Sequence, residues 1–582
     1  MVLQMKRRML TALLAAAVAL PVVAAQSPTV AHAEDDLIEF RSNYTYTIDP
    51  AAGVVHVRAE FYVFNDDLAH AYRPGGYIGS INVPVPVSAV GGNGAQLGPQ
   101  PYDYPPRQEA RTLGGINISP IDGNTEYNMW SLVIRGSVVF KYYVRVILTY
   151  DITGTDIRTD SRFRMNDAYF GFDVFAPGDP GKASIHVVVP KPYTVDTLSD
   201  EWTTTTEGTN TIYSVEEIEN PDEFFSFVAA RDDDALISTS LTTAQADFDV
   251  KSWPGDPEWQ QFVTTQIRDG VPVLEELIGE PWPLDREVDV RESVTPFVYG
   301  YAGWFDTSAN EIEIGEDLDQ EVVLHELSHA WFNRKWFADR WLSEGFAQVY
   351  SNLAVDELGG TPLQPLDIAA DDPGKVTLDA WSNPDFSDAD DERERYGYNA
   401  SFSVVQQITD EIGVDRMSEV LAAISNRSLA YQSGGSSDTT TDATDWQRFL
   451  DLVERVGGSE TAQDLMVRHV IQSKDRHLLQ KREAALDDYA AIEEHGDDWA
   501  TPLVVRRQMS AWEFGDATTS MEEAEAILAL RDELDAAIEE IGTSYPAEVQ
   551  AAYEEAQGDL DDATATVKAH LDSAIVLLDA AR

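Results

Sequence analysis

The sequence of 582 residues contains no cysteine. It therefore has no disulfides, no thiolate metal ligands and no cysteine nucleophile, although an exported chain could use disulfides. Basic residues are also scarce, because 41 lysines and arginines stand against 101 aspartates and glutamates, for a formal net charge of −60. Nucleic-acid binding needs a basic surface, so this balance excludes nucleic acid as the expected partner.

Residues 1–33 have the form of a secretory signal peptide. Three basic residues at 6–8 precede an apolar run over 9–25, and a small-x-small cleavage site follows at 31–33. An uncleaved membrane anchor is the alternative, although the run is slightly short for a span. No later segment is long and apolar enough to cross a bilayer. We therefore predict a secreted protein with no stable membrane span after removal of the signal.

The pattern of the remaining chain predicts three domains. Residues 34–240 are β-rich, because apolar and polar residues alternate over segments such as 55–63, and clusters such as 91–101, rich in glycine and proline, predict turns between strands. Residues 241–475 mix helical and strand patterns, and a helix over 446–456 is expected to close this domain. Residues 476–582 are predicted to be all-helical, with a break at 543–546.

A short motif with two histidines lies in the middle domain. The sequence HELSH, from His325 to His329, is an HExxH motif inside a predicted helix over 321–332. Positions i and i+4 lie on the same side of a helix, so both imidazoles can bind one metal ion. Glu326 is displaced around the helix and can reach a water at the metal instead. This is the pattern of a zinc-dependent hydrolase.

A third ligand is expected from the next helix. Glu344 follows His329 with 14 residues between them, and Asp339 and Ser343 are candidate start signals for the helix that carries it. Two histidines and one glutamate, with a fourth position open to water, are typical of a catalytic zinc site. The expected cofactor is Zn²⁺, held by His325, His329 and Glu344.

The two segments together resemble the zinc-binding region of the aminopeptidase-N-like gluzincin metallopeptidases. This chain has HELSHAWF and then KWFADRWLSEGFA, where the family typically has HExxH-QWFG and then KWWNDLWLNEGFA. The resemblance implies that Glu326 is the general base and that Asp339 supports the ligands. It also implies a β-rich N-terminal domain, an α+β thermolysin-like zinc peptidase domain and a helical C-terminal domain.

One departure from the family concerns the spacing of the ligands. The family usually has four more residues between the second histidine and the glutamate, which would place the ligand at Gln348. We interpret the difference as a deletion in the loop between the helices, because the residues around Glu344 keep their register.

A hairpin is predicted just before the motif, with strands at 297–304 and 312–314 and a turn at 306–310. It suggests an edge strand beside the metal, with which an extended peptide substrate could pair. The family carries the sequence GAMEN here, whose glutamate binds a substrate's free amino terminus. The corresponding residues 300–304 contain no glutamate, which leaves endopeptidase and aminopeptidase activity both open.

A tyrosine that stabilises the oxyanion is also implied by the resemblance. If the family's segment is aligned by counting back from Gly413 without gaps, its tyrosine falls on Tyr398. If the segment is aligned on the Ala400–Ser401 pair, its tyrosine falls on Tyr396. We prefer Tyr398, because the apolar positions of the following helix then also align.

The sequence thus predicts an exported zinc metallopeptidase that hydrolyses peptide bonds, with Glu326 and Tyr398 as catalytic residues. The alternative of another class is an exported binding or assembly protein with a structural or vestigial zinc site.

Overall fold

A computed structural model describes residues 38–66, 78–103, 109–159, 161–195, 201–294, 301–366, 368–369, 371–383, 391–433, 437–543 and 546–581. The predicted signal peptide lies outside these ranges. Among the helices they form, none combines the length and the apolar character that a membrane span requires.

The N-terminal part is built from strands. They are β1 Ile38–Asp49, β2 Val54–Asn65, β3 Ile78–Pro86, β4 Ala89–Pro101, β5 Arg111–Thr112, β6 Gly115–Pro120, β7 Tyr127–Val138, β8 Tyr142–Thr153, β9 Arg164–Met165, β10 Tyr169–Val174, β11 Ala183–Pro190, β12 Thr194–Val195, β13 Thr203–Glu207, β14 Asn210–Val215 and β15 Ser226–Arg231.

These strands form an eight-stranded sheet in the order β13-β14-β11-β1-β2-β8-β4-β5, a three-stranded sheet β3-β7-β6 and a four-stranded sheet β12-β15-β10-β9. In β2, the side chains of alternate residues from Val55 to Val63 are buried, which is the pattern that the sequence predicts. The prediction of a turn over 91–101 is wrong. These residues belong to β4, which pairs with β8 across two register shifts, because irregular pairing accommodates glycine and proline in a strand.

The middle part forms a mixed sheet with helices against it. Its strands are β16 Ile237–Thr242, β17 Asp247–Ser252, β18 Val288–Glu292, β19 Gly303–Asp306 and β20 Glu311–Ile314, in the order β16-β17-β18-β20-β19. Its helices are α1 Pro257–Ile278, α2 Gln320–Ser328, α3 Arg340–Glu357, α4 Asp391–Ile412, α5 Val414–Ser425 and α6 Trp446–Arg455.

The described residues after this part form helices only. They are α7 Ala462–Leu465, a π-helical turn Met466–Val470, α8 Arg476–Gly496, α9 Leu503–Ser510, α10 Phe514–Ile541, α11 Ala547–Glu554 and α12 Asp561–Ala581. The chain therefore has a β-rich N-terminal part and a helical C-terminal part. Most buried apolar residues between Tyr44 and Ala230 form one core, and most of those between Phe248 and Ala574 form a second. A small third cluster contains Tyr169, Phe227, Ala229, Trp253 and Val294.

The hairpin ahead of α2 is present, shifted along the chain. Its first strand, β19, covers Gly303–Asp306, its turn covers 307–310, and β20 covers Glu311–Ile314. Residues 297–300 of the predicted first strand lie outside the described residues. Within the described residues β19 pairs only with β20, so it forms one edge of the mixed sheet.

The motif helix is shorter than predicted. The sequence predicts a helix over 321–332, but α2 ends at Ser328 and His329 is its C-cap. The amide of Asn333 explains this end, because it donates hydrogen bonds to the carbonyls of His329 at 3.0 Å and Ala330 at 2.7 Å, which the helix leaves without partners. Residues 321–328 are all buried, so every face of α2 is covered by other parts of the protein.

Candidate metal centre

Three side chains from two helices converge in the interior of the middle part. His325 and His329 lie one turn apart on α2, with ring centroids 4.9 Å apart. The Glu344 carboxylate of α3 lies 3.6 Å from Nε2 of His325 and 3.4 Å from Nε2 of His329. One ligand atom from each of the three buried residues lies within 4.8 Å of the others. The structure thus brings together the three predicted ligands.

The short connection between α2 and α3 is held by a distant segment. The amide of Ala338 donates to the carbonyl of Thr444 at 2.8 Å, and the amide of Thr444 donates to the carbonyl of Trp336 at 2.8 Å. These bonds fix the chain just before α3. Because α3 begins at Arg340, Glu344 lies in its second turn and reaches both histidines across the helix pair.

Of the two candidate start signals for α3, the structure places Asp339 at the start of the helix and Ser343 inside it. Asp339 occupies the N-cap position of α3 but makes no side-chain cap bond. Its carboxylate instead accepts a hydrogen bond from the amide of Trp446 at 2.8 Å, so it joins α3 to the start of α6 and does not support a metal ligand.

The orientation of His329 is set by the backbone. Its Nδ1 lies 2.9 Å from the carbonyl oxygen of Phe332. A carbonyl can only accept, so Nδ1 carries the hydrogen and the lone pair of Nε2 is directed at the centre. A second hydrogen bond of this kind is typical of histidines that bind metals.

A buried carboxylate lies behind His325, and the sequence did not suggest it. Glu321 Oε1 is 3.8 Å from Nδ1 of His325 and accepts hydrogen bonds from Gln348 at 2.6 Å and Ser351 at 3.1 Å. Burial raises the pKa of Glu321 to about 7. Gln348, the position that strict family spacing would make a ligand, instead anchors this carboxylate. The sequence could have indicated this carboxylate, because Glu321 lies four residues before His325 and therefore on the same face of the helix.

Glu326 is buried beside this group. Among the residues that the structure describes, neither oxygen of its carboxylate has a hydrogen-bond partner. Burial raises the pKa of Glu326 well above its usual value, and the carboxylates of Glu344 and Glu321 raise it further. A carboxylate in this state accepts a proton readily. Gly303 of β19 passes so close that a Cβ there would lie 3.0 Å from Cγ of Glu326.

The Glu344 carboxyl has the opposite electrostatic character. Burial acts to raise its pKa, but His329 and His325 together lower it to about 2. Glu344 is therefore charged at neutral pH, as a metal ligand must be. Two buried carboxylates of one site thus differ in their readiness to hold a proton.

The two candidate tyrosines on α4 have different surroundings. The hydroxyl of Tyr398 accepts a hydrogen bond from Arg340 at 2.5 Å. Burial raises the pKa of Tyr398, Arg340 lowers it, and the Glu344 carboxylate raises it. Burial also raises the pKa of Tyr396, but the neighbouring charge is Asp372. Of the two tyrosines, only Tyr398 thus interacts with groups around the three predicted ligands His325, His329 and Glu344, which we call the metal-binding cluster.

A cleft of about 800 Å³ opens onto the cluster. Its wall combines aromatic and charged side chains with two of the predicted ligands; the lining residues include Phe305, His329, Phe332, Phe337, Asp339, Arg340, Glu344, Asp379 and Trp381. The donor set of two imidazoles and one carboxylate fits Zn²⁺, which takes nitrogen and oxygen ligands in a tetrahedral site. The arrangement can therefore hold a metal ion that a molecule in the cleft can reach.

No protein-family model matches the chain, and no curated protein matches it. Among solved structures, an M1 zinc metallopeptidase from Deinococcus radiodurans is similar over 75% of this chain and 95% of its own, with 14% identity and a TM-score of 0.30. A variant from the same organism, bound to a Tyr-Ser-Ala substrate, is similar over the same shares with 15% identity and a TM-score of 0.30. A two-domain M1 zinc metallopeptidase variant bound to L-tryptophan has 13% identity, the same TM-score and coverage of 75% and 96%.

Proposed function

We propose that this protein is an exported zinc-dependent metallopeptidase that hydrolyses peptide bonds. The observation that carries the proposal is the convergence of His325, His329 and Glu344 beside the buried carboxylate of Glu326. A closed structural zinc site has four protein ligands and needs no base, whereas three ligands and a free carboxylate are the set of a hydrolytic site. Export is proposed from the signal-like segment at residues 1–33.

The metal would be held by His325, His329 and Glu344. A zinc ion held there would polarise a carbonyl group and lower the pKa of a bound water toward neutrality. The hydrogen bond from Nδ1 of His329 to the Phe332 carbonyl supports this ligand set, because it orients one of the two imidazoles. The carboxylate of Glu321 lies 3.8 Å from Nδ1 of the other imidazole, that of His325.

Glu326 is proposed as the general base. Its carboxylate takes a proton from the attacking water and gives it to the amine of the leaving group. Support comes from its burial and from its raised pKa, since a base that holds a proton more firmly than an ordinary carboxylate can receive it from water and later donate it.

Tyr398 is proposed as the donor that stabilises the oxyanion. Its phenol hydrogen would bond to the carbonyl oxygen of the substrate as negative charge develops there. The interactions of Tyr398 with Arg340 and Glu344 support this choice over Tyr396.

The substrate is proposed to be an extended peptide. Strand β19 is an edge of the sheet and its Gly303 touches Glu326, so a peptide paired with this edge would pass beside the base. The cleft of about 800 Å³ beside the cluster gives room for substrate side chains.

The experiment is cleavage of a mixed peptide library by the mature protein, read by mass spectrometry, with Glu326→Gln as the matched control. This variant keeps the shape and the zinc and is expected to lose about 10²-fold or more in rate, because an amide cannot take the proton. Internal cuts absent from the control would establish an endopeptidase, and single-residue trimming an aminopeptidase. An unchanged rate would remove Glu326 from the mechanism, and no cleavage by the wild type would favour the binding protein.

A further inference from the structure

Arg340, the first residue of α3, is a buried cation at the edge of the metal-binding cluster. It lies one turn before Glu344 and its side chain is only 5% exposed. Its guanidinium donates to both carboxylate oxygens of Glu394, at 3.1 and 2.6 Å, and to the carbonyl of Ser382 at 2.9 Å. It also donates to the hydroxyl oxygen of Tyr398 at 2.5 Å. Bidentate pairing of this kind fixes the plane of the guanidinium.

The surroundings of Arg340 hold it rigidly. Its guanidinium carbon lies 3.8 Å from the ring centre of Trp381, and the indole NH of Trp381 donates to Glu394 at 2.9 Å. The indole packs against Gly397 so closely that a Cβ there would lie 2.1 Å from a ring atom. The rings of Trp381 and Tyr398 also pack edge to face with centroids 4.8 Å apart, so the same indole helps to fix the position of the phenol.

The direction of the hydrogen bond to Tyr398 decides what the phenol can do. Arginine has donors and no acceptor, so the oxygen of Tyr398 must accept. The hydrogen of the phenol is then not used in this bond. In the part of the chain that the structure describes, no group accepts this hydrogen in a hydrogen bond. A nearby positive charge also strengthens the phenol as a donor, because it withdraws electron density from the oxygen.

We propose that Arg340 is a positioning residue for peptide hydrolysis, which holds the Tyr398 phenol so that its hydrogen is available to the substrate's carbonyl oxygen. Glu394 and Trp381 hold Arg340 in turn. This inference rests on the proposed function and assigns to the Arg340–Glu394 pair a role beyond an ordinary buried ion pair.

The test is a double-mutant cycle of Arg340→Met and Tyr398→Phe on the zinc-loaded protein. Arg340→Met is expected to lower kcat about 10- to 100-fold, the range of losing an oxyanion donor or its support, with KM changed less than about threefold. Tyr398→Phe is expected to lower kcat by at least as much. In the Tyr398→Phe background, Arg340→Met is expected to change kcat by less than about twofold, because both substitutions remove the same interaction.

A binding measurement gives the same cycle without turnover. The probe is a phosphinic pseudopeptide with phenylalanine side chains on both sides, whose tetrahedral anion resembles the hydrolysis intermediate and whose side chains suit the aromatic cleft. Its affinity is expected to fall in each single variant and to fall little further in the double variant. If the wild type cleaves no peptide, the proposed function fails, while the cycle of binding affinities still shows whether Arg340 and Tyr398 act as one unit.

Matched controls separate positioning from folding. Tyr350→Phe removes the hydroxyl of a different buried tyrosine, on α3, which has no hydrogen-bond partner among the described residues, and is expected to leave kcat unchanged. Arg340→Lys keeps the charge and carries the cycle if Arg340→Met does not fold. Multiplicative losses in the double variant, or wild-type kcat in folded, zinc-loaded Arg340→Met, would overturn the proposal.

Discussion

At the scale of single residues, the site depends on two buried carboxylates with opposite properties. Glu344 stands between two imidazoles, which lower its pKa to about 2, whereas burial among other carboxylates raises the pKa of Glu326. The environment therefore separates a group suited to bind a cation from one suited to carry a proton. Residue type alone would not distinguish them.

Removal of the proposed third ligand tests the role of Glu344. We expect Glu344→Ala to lower the zinc content well below one ion per chain, because two histidines alone leave the site short of a ligand. Metal analysis of the purified variant measures this. The matched control is Glu357→Ala, an exposed position on the same helix. Full zinc occupancy in Glu344→Ala would mean that the third ligand lies elsewhere.

A second residue-scale prediction concerns Gly303. A Cβ there would lie 3.0 Å from Cγ and 3.1 Å from Oε1 of Glu326, so Gly303→Ala is expected to displace the proposed base or the strand. We expect kcat to fall about 10-fold with zinc content unchanged, since a small displacement of a catalytic group has effects of this order or larger.

Its control is Gly115→Ala in β6, where an added Cβ meets nothing within 4 Å. Steady-state kinetics and metal analysis of the two variants measure the difference. Equal kcat values would show that Glu326 does not need the space beside Gly303.

At the scale of elements, the position of α3 is decided by its tie to the segment before α6. The backbone bonds of Trp336 and Ala338 to Thr444, and the bond of Asp339 to the amide of Trp446, hold the start of α3 in place. A short loop between α2 and α3 is thus sufficient, because its far end is anchored by contacts from a hundred residues away.

This tie predicts a pH dependence of stability. Burial, together with the charge of Asp445, raises the pKa of Asp339 to about 6 from an ordinary value of 3.8. The folded protein therefore holds this proton more tightly than the unfolded chain. Proton binding by Asp339 therefore stabilises the folded protein. This stabilisation is complete below about pH 4 and is lost as the pH rises through about 6.

Asp339→Asn keeps an acceptor for the amide of Trp446 and does not titrate. We expect the free energy of unfolding of the wild type, relative to this variant, to fall by about 2 kcal/mol between pH 4 and pH 7. Thermal unfolding of both metal-free proteins across this range measures the difference. A difference that stays constant or grows with pH would contradict the assignment.

At the scale of the whole molecule, buried ion pairs connect the β-rich part to the part that carries the site. Arg164 of β9 donates to Glu316, just before α2, at 2.8 Å, and each side chain is 2% exposed. Arg231 of β15 pairs with Glu313 of β20. The N-terminal sheet therefore supports the strand and the turn that lead into the motif helix.

Breaking the more deeply buried pair is expected to destabilise the protein strongly. Arg164→Met leaves the Glu316 carboxylate buried without its cation, at a cost of about 3–5 kcal/mol in the free energy of unfolding. Differential scanning calorimetry measures the loss. Arg416→Met is the control, because its pair with Glu419 is exposed on both sides and is expected to contribute nothing measurable. Similar transitions in the two variants would show that the buried pair is not needed.

Much of the site was predictable because helical geometry is local. The spacing of His325 and His329 requires one face of a helix wherever the helix lies. The hairpin, the helix α6 and the helical C-terminal part also followed from periodicity and turn residues. The length of α2 did not, because the Asn333 side chain ends it. The strand over 89–101 was missed because irregular pairing with β8 overrides its glycine-rich composition.

The sequence by itself determined the chemistry of the ligands: two histidines one helical turn apart, a glutamate between them, and a second glutamate within reach on the next helix. Only the tertiary structure decided what surrounds them. Glu321 behind His325, Gly303 against Glu326 and Arg340 on Tyr398 are contacts between elements whose relative placement no local pattern encodes. Their physical cause is the packing of α2, β19, α3 and α4 into one buried core, which brings together side chains that are far apart in the sequence.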